Sequence, residues 1–134
     1  KRIREVMDKL YSAAPDGYCG DEDNGQTSSW YVFSAMGFYP VCPGSNQYAI
    51  GTPLFKRMTI NLSNGKKVNI SAKKNSSKNF YVKGMKLNGR AYDKAYLSHE
   101  ELAKGADIVF DMSSSPNTEW AVSADSRPYS MSLE

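Results

Sequence analysis

The sequence is poor in the residues that most catalytic and scaffold chemistries need. Its single histidine, His99, falls in a predicted short helix beside an N-cap, the position of an ordinary surface histidine. No Ser-His-Asp, Cys-His or zinc cluster can therefore be built within the chain. Two cysteines, Cys19 and Cys42, do not make a disulfide framework. They read as buried free thiols packing like small hydrophobes, with a disulfide open only in an oxidising compartment. No run approaches the ~20 apolar residues of a membrane span, so no membrane partner is expected. Nor does a dense basic run occur. The 17 basic and 14 acidic residues give a net charge of +3. Lysines scatter between positions 56 and 104, paired only at Lys66-Lys67 and Lys73-Lys74, which solvates a surface rather than recognising nucleic acid. No signal peptide opens the chain, and its first residue is not Met. With Ser132-Leu133-Glu134 reading as a cloning scar, an excised piece of a longer protein is expected, its targeting signal lying upstream.

What remains is ordinary globular material: 134 residues, 40% hydrophobic and 12% aromatic, enough for one core. Residues 1–12 place Ile3, Val6, Met7, Leu10 and Tyr11 at helical spacing, and Pro15-Asp16-Gly17 stops that helix. The acidic stretch Asp21-Glu22-Asp23-Asn24-Gly25 then runs into an apolar segment. Thr27 or Ser28 is placed to cap a helix over 28–36, Gly37 to end it, and Pro40 to forbid continuation. Near such a helix N-terminus carboxylates are held ionised, as a general base must be. The same loop also reads as a solvated cap with no chemistry. An EF-hand loop fails on spacing, because Gly25 falls one place early and Val32 stands where the closing glutamate belongs.

From Gln47 the period changes to alternation. Met58, Ile60 and Leu62 face Val68 and Ile70 across Ser63-Asn64-Gly65. A two-residue Asn-Gly turn would put the two apolar rows on opposite faces. A three-residue loop with a left-handed Gly65 instead pairs Ile60 with Val68 and Met58 with Ile70. Further strands are predicted at 79–83, at 86–92 through Asn88-Gly89, and at 106–112. Ser98-His99-Glu100-Glu101-Leu102 reads as one capped helical turn closed by Gly105.

The run Gly20-Asp21-Glu22-Asp23-Asn24-Gly25-Gln26, Ser28, Trp30-Tyr31-Val32-Phe33-Ser34-Ala35, Gly37-Phe38-Tyr39-Pro40-Val41, Pro43-Gly44 resembles the C-terminal part of the family 92 glycoside hydrolases. Tyr48, Ile50-Gly51, Pro53 and Phe55 extend the resemblance, which is dense over about 15–55 and looser to about Asn117. These are bacterial exo-acting α-mannosidases. The resemblance implies calcium-dependent, inverting hydrolysis of terminal α-linked mannose, in a glycan of N-glycan or mannan type, by a periplasmic, secreted or cell-surface parent. It implies an (α/α)6 barrel, with the base assigned to an aspartate pair falling on Asp21 and Asp23. Asp23 is the expected base, Asp21 assists in holding the water, and Glu22 is turned away. Calcium ligands are not assignable in this chain, and the remainder of the barrel is its implied partner.

Trp30 is the candidate sugar-stacking residue, although an aromatic there also suits a core; Tyr31 is expected in the core. The resulting fold class is α+β: a helical segment over 1–46, an antiparallel β-sandwich-like region over 47–117, and a poorly ordered tail over 118–134. The competing reading is a noncatalytic carbohydrate-binding or structural β-sandwich module.

Overall fold

The computed structural model describes residues 1–133; Glu134, the end of the expected scar, lies outside the described residues. The first helix, α1 (Arg2–Leu10), carries surface ion pairs from Glu5 to Arg2 and Lys9 at 3.3 and 3.1 Å. Exposed pairs of this kind contribute a few tenths of a kcal/mol. Of its apolar stripe only Met7 is buried, and Ile3 and Leu10 stay 41% and 50% exposed. A polar clamp ties the helix down. The Arg4 guanidinium donates to the Pro53 carbonyl at 2.6 Å and to Asn75 Oδ1 at 3.0 Å, while Asn75 Nδ2 donates to the carbonyls of Pro53 and Leu54.

Helix α2 (Gln26–Met36) opens two residues before the expected start. Its N-cap is Gly25, at φ 90°, with no side chain to offer, so neither Thr27 nor Ser28 caps it. Gly37 ends it as expected, at φ 96°, its N–H directed to the carbonyls of Phe33 and Ser34 at 3.1 Å.

The strands follow in order: β1 (Phe38–Tyr39), β2 (Gln47–Ile50), β3 (Arg57–Asn61), β4 (Lys67–Ser71), β5 (Tyr81–Leu87), β6 (Arg90–Tyr92), β7 (Tyr96–Ser98), then α3 (His99–Ala103) and β8 (Ala106–Ser113). They make a three-stranded sheet β1-β2-β7 and a five-stranded sheet β3-β4-β8-β5-β6. Met58 pairs with Ile70 and Ile60 with Val68, the register demanded by keeping both apolar rows on one face. The turn Asn88-Gly89, with φ 51° and 81°, joins β5 to β6, and Asn88 exchanges backbone hydrogen bonds with Asp107 of β8 through its N–H and side chain. Helix α3 closes on a capping box: Ser98 Oγ accepts from Glu101 N–H and Glu101 Oε2 accepts from Ser98 N–H.

One pairing departs from the antiparallel expectation: β4 and β8 run parallel, with β5, β6, β7 and α3 carried in the crossover. Parallel neighbours need a long connection, which local alternation does not specify. The core fills the inner face of this sheet, from Val68, Ile70, Ile108, Phe110 and Met112, and is met by Phe38 and Leu97 of the small sheet and by Phe33 and Met36 of α2. Amides of β4 and β8 are expected to exchange about a hundredfold more slowly than those of α1, which buries one side chain. Comparable protection in a hydrogen-exchange map would show that the Arg4 clamp binds α1 into the cooperative core.

Residues 118–132, expected to be loosely ordered, are tied back to the β-region. Trp120 Nε1 donates to the Tyr92 carbonyl (2.9 Å), Ala95 N–H to the Ser126 carbonyl (2.7 Å), and Tyr129 N–H to Gln47 Oε1 (2.7 Å). Tyr92 is the hub. Its hydroxyl donates to the Tyr96 carbonyl at 2.8 Å with Glu101 Oε2 at 3.3 Å, and burial, then the Glu101 charge, push its pKa up strongly. As pH rises the unfolded chain, titrating near ~10, loses this proton before the folded chain does. Stability from this bond is therefore complete below about pH 10 and declines above it. Tyr92→Phe should cost about 1 kcal/mol at neutral pH and flatten the alkaline fall of the melting temperature. An equally steep fall in the variant would assign the effect to other tyrosines.

Candidate functional site

The acidic loop is fixed by the needs of the helix it precedes. Because Gly25 offers α2 no capping side chain, the loop supplies the acceptors. Asp23 carbonyl accepts from Gln26 N–H (3.3 Å), Glu22 carbonyl from Thr27 N–H (3.3 Å), and Glu22 Oε1 from Ser28 N–H (3.2 Å). Thr27, nearly buried, uses its hydroxyl to donate to the Asp21 carbonyl at 3.0 Å. Glu22 is thereby folded back against the helix, its Oε2 enclosed and without a partner among the described residues.

Asp21 and Asp23, two places apart, are left exposed on the same loop. Asp23, Asn24 and Gly25 run at φ 51°, 60° and 90°, three successive left-handed residues. Asp and Asn tolerate this region better than other side chains, which explains their presence in the turn. The capping role of Glu22 was not foreseen. Its signal was present: a helix opening on glycine has to find its acceptor upstream.

Trp30 is half-buried and lies flat on Tyr11, with ring centroids 5.6 Å apart and planes at 16°. One of its faces is thus occupied within the chain. Tyr31, expected in the core, is half-buried, 5.0 Å from Tyr11, and faces a cleft between residues 11–18 and α2. Tyr18 stands edge-on to Tyr11, and its hydroxyl meets Ser28 Oγ at 2.8 Å. Burial first, then the adjacent Cys19 thiol and the Glu22 carboxylate, raise the pKa of Tyr11. Cys19 is exposed and Cys42 half-buried, both free, so neither is the fully buried thiol expected; both lie in loops.

His99 is exposed, with Nδ1 3.0 Å from the Tyr48 hydroxyl and its ring beside the Tyr48 ring, centroids 6.2 Å apart. Three other acids of the β-region have partners of their own. Glu101 closes the α3 cap, Asp111 pairs with Lys74 at 3.5 Å, and Glu100 accepts from Asn46 Nδ2, a bond that holds its carboxyl below the usual range. Calcium takes six to eight oxygens. Among the described residues no three of His, Cys, Asp and Glu gather as a metal cage, so the side chains here do not by themselves fit that ion.

Residues 1–114 match the catalytic domain of glycosyl hydrolase family 92. Two solved enzymes of Bacteroides thetaiotaomicron superpose on the chain. A family 92 α-mannosidase is 43% identical with a TM-score of 0.92 over 97% of this chain and 18% of its own. A family 92 inverting mannosidase is 51% identical with a TM-score of 0.89 over 98% and 18%. The former has also been solved with mannoimidazole. An uncharacterized secreted glycosidase of Arthroderma benhamiae is 27% identical over 98% of this chain and 17% of its own length. The chain belongs to glycoside hydrolase family 92. It spans less than a fifth of the length of these relatives.

Proposed function

We propose that this chain is the base-bearing segment of an inverting, calcium-dependent α-mannosidase that removes terminal α-linked mannose from a glycan. Asp23 acts as general base on the attacking water and Asp21 helps to hold that water. The observation that carries the reading is the division of labour in the loop: Glu22 is consumed in capping α2, while Asp21 and Asp23 alone face solvent. Family membership and the mannosidase relatives support the substrate class. Calcium belongs in this reading to the larger enzyme, and no step here runs through it.

Inversion needs two carboxyl groups on opposite faces of the sugar, about 6.5 to 9.5 Å apart, one to protonate the leaving oxygen and one to activate water. Asp21 and Asp23 stand in one loop and serve one side. Glu100, Glu101, Asp107 and Asp111 belong to the β-region, and none sits in a motif that resembles the family's acid. The 134-residue chain is therefore expected to release no mannose from an aryl α-mannoside, with or without calcium, above an Asp21→Asn, Asp23→Asn control. The full-length protein carrying it should release mannose with inverted configuration. Retention of configuration, or hydrolysis by the isolated chain, would overturn this assignment.

A further inference from the structure

Three asparagines in the chain precede a glycine: Asn24, Asn64 and Asn88. We propose that Asn24 is a site of self-modification, at which the folded chain loses ammonia and is converted by water into aspartate and isoaspartate. At an Asn-Gly pair the glycine nitrogen reaches the asparagine Cγ readily, because the glycine has no side chain to block the approach. That nitrogen gives up its proton and bonds to Cγ. The Cγ–Nδ2 bond breaks, and Nδ2 leaves as ammonia with the released proton. Solvent water then adds to either carbonyl of the five-membered imide, its hydroxyl going to carbon and its proton back to nitrogen. No oxidant or further reactant enters.

The three sites differ in how each amide is held. Asn64 Nδ2 donates to the Ala103 carbonyl at 2.8 Å, and its Oδ1 accepts from Lys66 N–H at 3.0 Å. The attacking nitrogen is engaged there as well, since Gly65 N–H donates to the Leu62 carbonyl at 3.0 Å. Asn88 Oδ1 accepts from Asp107 N–H at 2.8 Å, and Asn88 N–H donates to the Asp107 carbonyl at 2.8 Å, so β8 pins that turn.

The acidic loop is held from either side of Asn24. Its bonds run through the carbonyls of Asp21, Glu22 and Asp23 and through the Glu22 carboxylate. Among the described residues neither Asn24 nor the Gly25 N–H takes part in a hydrogen bond. Asn24 and Asn88 share a left-handed backbone, at φ 60° and 51°, so conformation does not separate them and the hydrogen bonds do. Asn24 Cγ meets the Gly25 nitrogen without breaking one, whereas each bond broken at the other sites slows the reaction about fivefold. Conversion adds a carboxylate between Asp23 and Gly25 and lowers the net charge of +3 by one. In the isoaspartate form the main chain runs through the former side chain and is one methylene longer. That insertion should draw the Glu22 and Asp23 carbonyls off the N–H groups of Thr27 and Gln26.

The test is a timed incubation of the folded 134-residue chain in mildly alkaline buffer, below its melting temperature. Peptide mapping by mass spectrometry, with fragmentation that separates aspartate from isoaspartate, reads each site. Asn24 is expected to convert at least about fivefold faster than Asn88 and about twentyfold faster than Asn64. In denaturant, where native hydrogen bonds are lost, the three rates should converge to within about threefold. The isoaspartate chain, isolated by ion exchange, should exchange its Gln26, Thr27 and Ser28 amides faster than the unconverted chain. Conversion of Asn24 no faster than that of Asn88 in the folded chain overturns the site. So does an order of rates that persists unchanged in denaturant, which would assign it to sequence neighbours instead of to the fold.

Discussion

Asp23→Asn in the full-length protein is expected to lower turnover of an α-mannoside by about two to four powers of ten while leaving substrate binding largely intact. An amide is nearly the same size as the carboxylate but takes no proton from water. The loop should survive the change. Asp23 contributes to it through its carbonyl, which accepts from Gln26 N–H, and through a left-handed backbone at φ 51°. Asparagine tolerates that conformation, as Asn24 does at φ 60° in the next position. Asp23→Ala would mix the lost base with backbone strain and is the poorer probe. Asp21→Asn, removing only the assisting acceptor, should cost less than Asp23→Asn. A reversed order in steady-state kinetics would exchange the two roles.

Gly37→Ala is expected to destabilise the chain by about 3 kcal/mol or more, through two additive causes. Glycine 37 sits at φ 96°, where a side chain costs about 1 to 2 kcal/mol by itself. A Cβ there would also lie 2.9 Å from the Pro53 nitrogen and 3.1 Å from Pro53 Cδ, groups that cannot swing away. The neighbourhood is stapled as well: Gly51 N–H donates to the Gly37 carbonyl and Leu54 N–H to the Ala35 carbonyl. Gly44 provides the control, with φ 80° and nothing within 4 Å of a built Cβ. Gly44→Ala should show only the backbone cost. Thermal unfolding followed by circular dichroism separates the two, with a fall of roughly 10 to 20 °C for Gly37→Ala. Equal losses in the two variants would remove the close contact with Pro53 as an explanation.

The acidic loop shows how far linear patterns reach. That Asp21 and Asp23 are exposed together is what a two-residue spacing on one loop allows. That Glu22 alone is withdrawn depends on Gly25 being the N-cap, a fact about where the helix begins. Propensity places helix ends only to within a residue or two, and here those two residues change which side chain does the capping. The aromatic residues repeat the lesson. The aromatic character of Trp30 suits it to a sugar face, and only the fold shows that Tyr11, nineteen positions earlier, occupies one side of it.

By itself the sequence determined whatever is settled over short distances. The β3–β4 register follows from a period of two and a three-residue loop, the α3 capping box from Ser98 and Glu101 three apart, and the end of α2 from Gly37. Each is a contest among a few local conformations in which one residue type wins clearly. Only the tertiary structure decided that β4 and β8 lie parallel, that Arg4 and Asn75 clamp α1 to the segment at Pro53, and that Trp120 and Ser126 draw the C-terminal stretch onto Tyr92 and Ala95. Those pairings join groups far apart along the chain, where many partners satisfy the same local pattern. The choice falls to burial of one shared core and to pairing the polar groups that burial encloses.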